Sequence, residues 1–178
     1  MKKLILFLFF VLLITTPVYA QDATPSAAEV PVNYSLPYPG ILPDNPLYLF
    51  KALRDRLVSW FIADHKQQAA FDLLQADKRV AAAFSLSKEP KPDSTLILQT
   101  ISKGENYFSE SLGKVSAAKR EGEDINGLLG QMENAAKKHL EIFIGISASL
   151  PSKDRAQLQQ QVQEVQTILL QVKKLRSQ

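Results

Sequence analysis

The chain has 178 residues, 46% of them hydrophobic, and no cysteine, so it can bury a core but offers no disulfide, thiolate metal site or lipid-modified cysteine. Its 21 basic and 18 acidic side chains give a formal charge of +3. This small excess does not favour a nucleic-acid-binding surface.

The first segment of the chain predicts export. Lys2 and Lys3 precede the apolar run Leu4–Ile14, and a small-residue end follows at Ala20. These are the charged, apolar and cleavable parts of a secretory signal peptide. The run is shorter than the roughly 20 residues that cross a bilayer as a helix. We therefore expect residues 1–20 to be a cleaved signal peptide, with an uncleaved membrane anchor as the alternative.

Cleavage would leave 158 residues, the length of one ordinary domain, with 19 basic side chains against 18 acidic ones because two lysines leave with the signal. No later stretch reaches spanning length, so we expect no stable membrane span after cleavage. The densest basic patch is Lys173, Lys174 and Arg176, which fits cations at a helix C-terminus. A docking patch for acidic polymers is the alternative interpretation.

Two segments precede the first predicted helix. Residues 21–33 are small and polar and are predicted to be a flexible linker. Residues 34–46 contain four prolines, which oppose regular helix, but they also carry large apolar side chains. We expect this Pro-rich lead-in to lie across the helices as a strap, and a docking motif for a partner is the alternative.

The first two predicted helices begin after polar caps. Asp44 or Asn45 can cap a helix that ends near Ala63, and Asp64 can cap a second that runs to the Lys88–Pro92 breaker. Three- and four-residue spacing predicts buried stripes on both helices. On the first helix the stripe is Leu47, Phe50, Leu53, Leu57, Trp60 and Phe61, and on the second it is Phe71, Leu74, Val80, Ala81 and Phe84.

Three further helices are predicted after the breaker. One begins at Asp93 or Ser94 and runs to about Glu121, one follows Asp124, and the last follows Pro151. The third contains two glycines, Gly104 and Gly113, which permit close helix approach or mark a break. The last helix carries a coiled-coil-like stripe between exposed glutamines, and this stripe is either core or an oligomer seam. The expected buried residues are Leu98, Ile101, Tyr107, Phe108, Leu112 and Val115 on the third helix, Leu128, Leu129, Met132, Ala136, Leu140, Phe143 and Ile146 on the fourth, and Leu158, Val162, Val165, Leu169 and Val172 on the last.

The pattern as a whole predicts an all-α fold. No alternating strand-like run occurs, and we expect an elongated antiparallel bundle of about five helices within residues 34–178.

Three segments together support a family resemblance. LPYPGILPDNPLYLFKALRDRL, QADKRVAAA and HLEIFIGISASLP resemble an exported bacterial helical domain family that is known only as a domain of unknown function. The resemblance covers about residues 35–175 and implies export and a helical fold. Members of that family follow signal peptides, occur in membrane-tethered proteins or are related to anti-sigma factors. The family has no established reaction, so the resemblance implies no catalytic residue, and the lack of a second apolar span here weakens a transmembrane signalling role.

The residues that could carry chemistry do not form a recognisable site. His65 and His139 lack a second histidine or a carboxylate three or four residues on, so we expect both to be surface or partly packed side chains. Glu121, Glu123 and Asp124 lack the spacing of a calcium loop and fit a solvated turn. No nucleophile motif or glycine-rich phosphate loop occurs. We therefore predict no catalytic, cofactor-binding or metal-binding residue, and no enzyme.

These observations favour an exported, non-catalytic helical domain that interacts with a protein or a cell-envelope component. It would be extracellular, periplasmic or attached to the envelope, and it could form oligomers through the last helix. The alternative is an extracytoplasmic helical bundle that binds a ligand, a metal or unfolded protein, with Trp60 and Phe61 as possible pocket residues.

Overall fold

Five α-helices make up the regular structure of residues 32–178, the part of the chain that the computed structural model describes. They are α1 (Tyr48–Trp60), α2 (His65–Leu86), α3 (Ser94–Arg120), α4 (Asn126–Ser147) and α5 (Ser152–Arg176). These residues contain no strand, so the all-α prediction is confirmed. The predicted signal peptide, residues 1–20, and the predicted linker up to residue 31 lie outside the described residues.

Short polar side chains start two of the longer helices, as the sequence predicts. The Asp64 carboxylate accepts a hydrogen bond from the backbone N–H of Gln67 at 2.7 Å, and Asp93 accepts from Thr95 and Leu96 at 2.9 and 3.1 Å. Each aspartate satisfies backbone donors that have no partner inside the helix. Local capping chemistry therefore explains where α2 and α3 begin.

Helices α2 to α5 form a four-helix bundle in which each helix has two neighbours, in the ring order α2, α3, α5, α4. The hydroxyl of Ser111 on α3 donates to the Ala69 carbonyl on α2 at 2.7 Å. Gly104, seven residues before Ser111 on α3, lies beside Ala76, seven residues after Ala69 on α2. The two helices are therefore antiparallel, as expected for a short connection. Helices α3 and α4 are consecutive but lie across the ring from each other.

Polar contacts at both ends of α3 and α5 show that these two helices are parallel. Near their first residues, Ser94 donates to Asp154 at 2.7 Å. Near their last residues, the Lys119 ammonium donates to the Leu175 carbonyl at 2.7 Å. The ring thus brings together the same ends of two non-consecutive helices.

The core-facing side of α2 contains the predicted Val80, but it also contains Leu73, Leu86 and several small residues that were not predicted. Leu74 and Phe84 were expected in the core, but they are 39% and 37% exposed. Ala69, Ala76 and Ala83 are fully buried instead. Small side chains let the backbones of α2 and α3 approach closely, so volume alone was a poor guide to the buried face.

Most predicted core residues of α3, α4 and α5 are buried. The fully or almost fully buried ones are Leu98, Ile101, Phe108, Leu112, Val115, Leu128, Leu129, Met132, Ala136, Phe143, Ile146, Leu158, Val165 and Val172. The last helix departs from its predicted pattern at Gln161, which is buried beside this core although its neighbours Gln160 and Gln163 are exposed.

Gly104 and Gly113 have different surroundings on α3, and this difference predicts opposite effects of the same substitution. A Cβ at Gly104 would lie 3.0 Å from Arg79 Cβ and 3.3 Å from the Ala76 carbonyl oxygen, whereas one at Gly113 would meet nothing within 4 Å. We expect Gly104→Ala to lower the free energy of unfolding by about 1–3 kcal/mol and Gly113→Ala to raise it by about 0.5–1 kcal/mol.

Urea unfolding followed by circular dichroism measures both glycine variants against the same parent. Equal effects of the two substitutions would contradict a close approach of α2 and α3 at Gly104.

The Pro-rich lead-in, residues 34–46, has no helix or strand but is held against the helices. Tyr34, Leu36 and Leu42 pack against the core. Further along, the Lys51 ammonium on α1 donates to the carbonyls of Pro39 and Ile41 at 2.5 and 3.3 Å. The lead-in therefore contacts both the bundle and α1.

Candidate functional site

A buried charged cluster lies at the centre of the bundle. His139 on α4 is completely buried, and its Nδ1 lies 3.0 Å from Glu105 Oε1 on α3. Its Nε2 lies 3.0 Å from Asp77 Oδ1 on α2. Both carboxyl side chains are themselves almost completely buried. One imidazole therefore joins three of the four bundle helices.

The surroundings of His139 favour its charged form. Burial lowers the pKa of the imidazole, but the charge of Glu105 and the hydrogen bonds to Asp77 and Glu105 outweigh burial and raise this pKa to about 9. Near neutral pH the ring is thus an imidazolium, and both of its N–H groups donate to carboxylates. No ring nitrogen is left to accept a proton or bind a metal ion.

Tyr34 extends the charged cluster into the lead-in. Its hydroxyl donates to Asp77 Oδ2 at 2.6 Å. Burial, the hydrogen bond to Asp77 and the carboxylate charge all raise the pKa of this phenol. The hydroxyl therefore stays protonated, and it ties the start of the lead-in to the bundle centre.

The burial of His139 corrects the prediction of a surface or partly packed side chain. The basic neighbours Lys137 and Lys138 lie on another side of the helix, where they pair with Glu133 and Glu141. A usable signal was present in the sequence. His139 continues the stripe of buried α4 positions Met132, Ala136, Phe143 and Ile146 at steps of three and four.

The other residues considered from the sequence, His65, Glu121, Glu123 and Asp124, are exposed or half-buried. His65 is the first residue of α2, and its Nδ1 lies 2.8 Å from Glu121 Oε1 at the end of α3. Asp124 accepts a hydrogen bond from the N–H of Asn126 at 3.1 Å before α4 begins. In residues 32–178 no group of three or more His, Cys, Asp or Glu side chains is arranged to hold a metal ion.

We expect opposite effects when the hydroxyl is removed from each of two half-buried tyrosines, Tyr34 and Tyr48. Tyr34→Phe leaves Asp77 Oδ2 without its donor, so we expect it to lower the free energy of unfolding by about 1–3 kcal/mol. The buried hydroxyl of Tyr48 has no partner within residues 32–178, so Tyr48→Phe should be neutral or stabilising. Thermal unfolding of the two variants side by side tests this; a larger loss for Tyr48→Phe would contradict the assigned hydrogen bonding.

Helix α1 exposes its apolar side, which makes it the most unusual surface of the described chain. The side chains of Leu49, Phe50 and Trp60 are 76%, 72% and 69% exposed, and that of Phe61 is 87% exposed. The prediction of a buried stripe on this helix is therefore wrong, because all six of its members are exposed: Leu47, Phe50, Leu53, Leu57, Trp60 and Phe61. An exposed apolar patch of this kind marks an interaction surface in a folded protein.

Polar contacts hold the opposite side of α1 against the rest of the chain. Asp55 is buried there, and Ser59 is half-buried. The Arg79 guanidinium of α2 lies 5.0 Å from the centre of the Tyr48 ring, a cation–π contact. Together with the Lys51 contacts to the lead-in, the Arg79 contact places the Tyr48 side of α1 toward the rest of the chain and leaves the apolar side outward.

The apolar side of α1 is flanked by cations. On a helix that advances about 100° per residue, the exposed stripe from Leu49 to Phe61 covers an arc of about 120°. Arg56 lies about 20° beyond one edge of this arc and Arg54 about 20° beyond the other. We call the six residues of the arc the α1 apolar face. They are Leu49, Phe50, Leu53, Leu57, Trp60 and Phe61.

Within residues 32–178, none of the five helices has the length and apolar character needed to cross a membrane. Comparison with protein-family models, curated proteins and solved structures gave no match to the chain. The family resemblance noted in the sequence therefore stays a prediction.

Proposed function

We propose that the chain is an exported, non-catalytic helical domain that attaches to the cell envelope by laying α1 on an anionic lipid surface. The observation that carries this proposal is the α1 apolar face, exposed and flanked by Arg54 and Arg56. The predicted signal peptide and the resemblance to exported domains support the location.

The composition of α1 favours a lipid surface over a protein groove. Helices that lie in a membrane interface place Trp, Phe and Leu on one side and Lys or Arg beside them. Trp60 and Phe61 sit at the end of α1, and α1 carries three cations, Lys51, Arg54 and Arg56, against one acidic residue. Each cation near an anionic membrane contributes about 1 kcal/mol of attraction. Apolar burial and charge therefore act in the same direction.

Cosedimentation with lipid vesicles tests the proposal. The protein used should begin at Gln21, because the apolar residues before Gln21 would bind lipid by themselves. This protein still contains all of residues 32–178. We expect it to sediment with vesicles that contain phosphatidylglycerol and to stay in solution with pure phosphatidylcholine vesicles. Raising the salt concentration should weaken binding, since exposed charges are screened.

The vesicle experiment can also contradict lipid docking. If the folded protein binds neither vesicle, the α1 apolar face does not serve a lipid surface, and a protein partner becomes the occupant to test. Circular dichroism of the same sample shows that the protein is folded.

A second candidate function is the binding of a small ligand within the bundle. The observation in its favour is a groove of about 580 Å³ between α3 and α5, which Glu105 and Glu164 line without any basic side chain. The Oε2 atom of Glu105 has no hydrogen-bond partner within residues 32–178. Such a groove fits a cationic or donor-rich molecule. Thermal shift with a panel of amines, metal ions, haem and lipids tests it, and no stabilisation by any amine would contradict it.

A further inference from the structure

A cleft separates the lead-in from α1, beside the α1 apolar face. Its volume is about 530 Å³, and it lies between the turn at Tyr38–Ile41 and the first turns of α1. Apolar side chains form one part of its wall, among them Ile41, Leu47 and Phe50. Three cations form the other part: Lys51, Arg54 and, from α2, Lys78. No acidic side chain lines it.

Lys51 lies close enough to Lys78 and Arg54 for both charges to act on it. Burial lowers the pKa of Lys51, and the charges of Lys78 and Arg54 lower it further, while Asp55 acts in the opposite direction. Asp55 pairs with Arg54 at 2.7 Å but does not line the cleft. Because Arg54 is already paired with Asp55, Lys51 and Lys78 are the two cations of the cleft whose mutual repulsion an anion would relieve.

Lys51 is held in place before any ligand arrives. Its ammonium donates to the Pro39 and Ile41 carbonyls, and the turn that presents them needs Gly40, whose φ is +71°. A Cβ at Gly40 would lie 3.7 Å from Lys51 Nζ. An ammonium has three N–H donors, so one remains for an anion after these two contacts.

We propose that this cleft binds the phosphate headgroup of one anionic phospholipid, with Lys51 and Lys78 on the phosphate and Leu47 and Phe50 against the upper acyl chains. The inference rests on the proposed lipid docking and deepens it, because it adds a defined headgroup site to a general attraction. The cleft wall has an apolar part and a cationic part, and this combination favours a lipid over free phosphate, since a phosphate ion alone would make no contact with the apolar part.

Nuclear magnetic resonance with water-soluble lipids tests the cleft without a membrane. The probes are dihexanoyl phosphatidylglycerol below its micelle concentration, dihexanoyl phosphatidylcholine and inorganic phosphate. We expect the Gly40 amide resonance to shift saturably with the phosphatidylglycerol and much less with the other two. Equal shifts with inorganic phosphate would overturn the lipid assignment, and no saturable shift with any probe would overturn the site.

Lys78→Met is the cleanest variant, because this side chain lines the cleft without holding the turn. Removing one cation should weaken binding of the short-chain phosphatidylglycerol about fivefold. Lys153→Met, at the start of α5, removes an equal charge outside the cleft and should leave the affinity unchanged. Equal effects of the two variants would overturn the proposal.

The proposed headgroup site in the cleft and the proposed docking of the α1 apolar face can be contradicted independently. If vesicle binding persists but Lys78→Met behaves like Lys153→Met, α1 docks on lipid without a headgroup site. If the short-chain lipid binds in a Lys78-dependent way but vesicles do not, the site exists and the α1 apolar face does not dock.

Discussion

Replacing His139 by leucine should destabilise the fold by about 3–5 kcal/mol, because the change leaves two buried carboxyl groups without their shared donor. This is a large part of the roughly 5–15 kcal/mol that holds a typical domain folded. Chemical denaturation at pH 7 measures it directly. A cost below about 1 kcal/mol would contradict a central imidazolium that joins three helices.

A combined variant separates the lost ion pairs from lost packing. His139→Leu together with Glu105→Leu and Asp77→Asn removes the buried charges but keeps an acceptor for Tyr34. Apolar replacement of a complete buried ion cluster is often neutral, whereas removal of one member is costly. The triple variant should therefore recover much of the stability that the single change loses, and a further loss would show that the cavity dominates.

The stability of the protein should also fall as the solution becomes alkaline. The pKa of His139 is raised from 6.5 to about 9 in the folded chain, so its contribution is complete below pH 6.5 and is lost as the pH rises through 9. The expected loss is on the order of 3 kcal/mol. The triple variant serves as the control, because it lacks all three groups of the buried cluster and subtracting its pH profile removes the other titrating groups. A difference that does not change between pH 6.5 and 9 would contradict the charged state.

Substituting two leucines of the α1 apolar face should abolish vesicle binding without unfolding the protein. Leu49 and Leu53 are 76% and 57% exposed, so glutamate at both positions disturbs no core packing. Removing two leucines from a lipid interface costs about 3 kcal/mol of binding free energy, or about 100-fold in affinity, before charge repulsion is counted. Vesicle titration measures the loss, and thermal unfolding should be unchanged.

The chain offers a matched control for the two leucines. Ile144 on α4 and Leu170 on α5 are 72% and 68% exposed, so glutamate at both adds the same charge to other exposed apolar sites. This control should bind phosphatidylglycerol vesicles much more strongly than the α1 variant. Equal weakening would show that net charge, rather than the α1 apolar face, governs binding.

The starts of α2 and α3 could be predicted from the sequence because their causes are local, whereas α1 begins at Tyr48 after Leu47 and is not capped by Asp44 or Asn45 as predicted. Asp64 and Asp93 cap their helices through backbone groups only two or three residues away. Periodicity likewise identified most buried residues of α3, α4 and α5, although His139 and Gln161 interrupt the apolar stripes of α4 and α5 and the predicted Val162 and Leu169 are only partly buried.

The direction in which α1 faces could not be predicted in the same way. Periodicity shows that an apolar stripe exists but does not show what covers it. The orientation of α1 depends on long-range contacts, namely Arg79 over Tyr48 and Lys51 on the lead-in carbonyls. His139 is similar, because its partners Asp77 and Glu105 come from other helices, 62 and 34 residues away.

The emission of Trp60 is the most direct test of the proposed docking by α1. This residue is the single tryptophan of the chain, and it lies on the α1 apolar face with 69% of its surface exposed. The account predicts that phosphatidylglycerol vesicles move its emission to shorter wavelength and protect it from a water-soluble quencher. Unchanged emission and full quenching in the presence of saturating vesicles would contradict it.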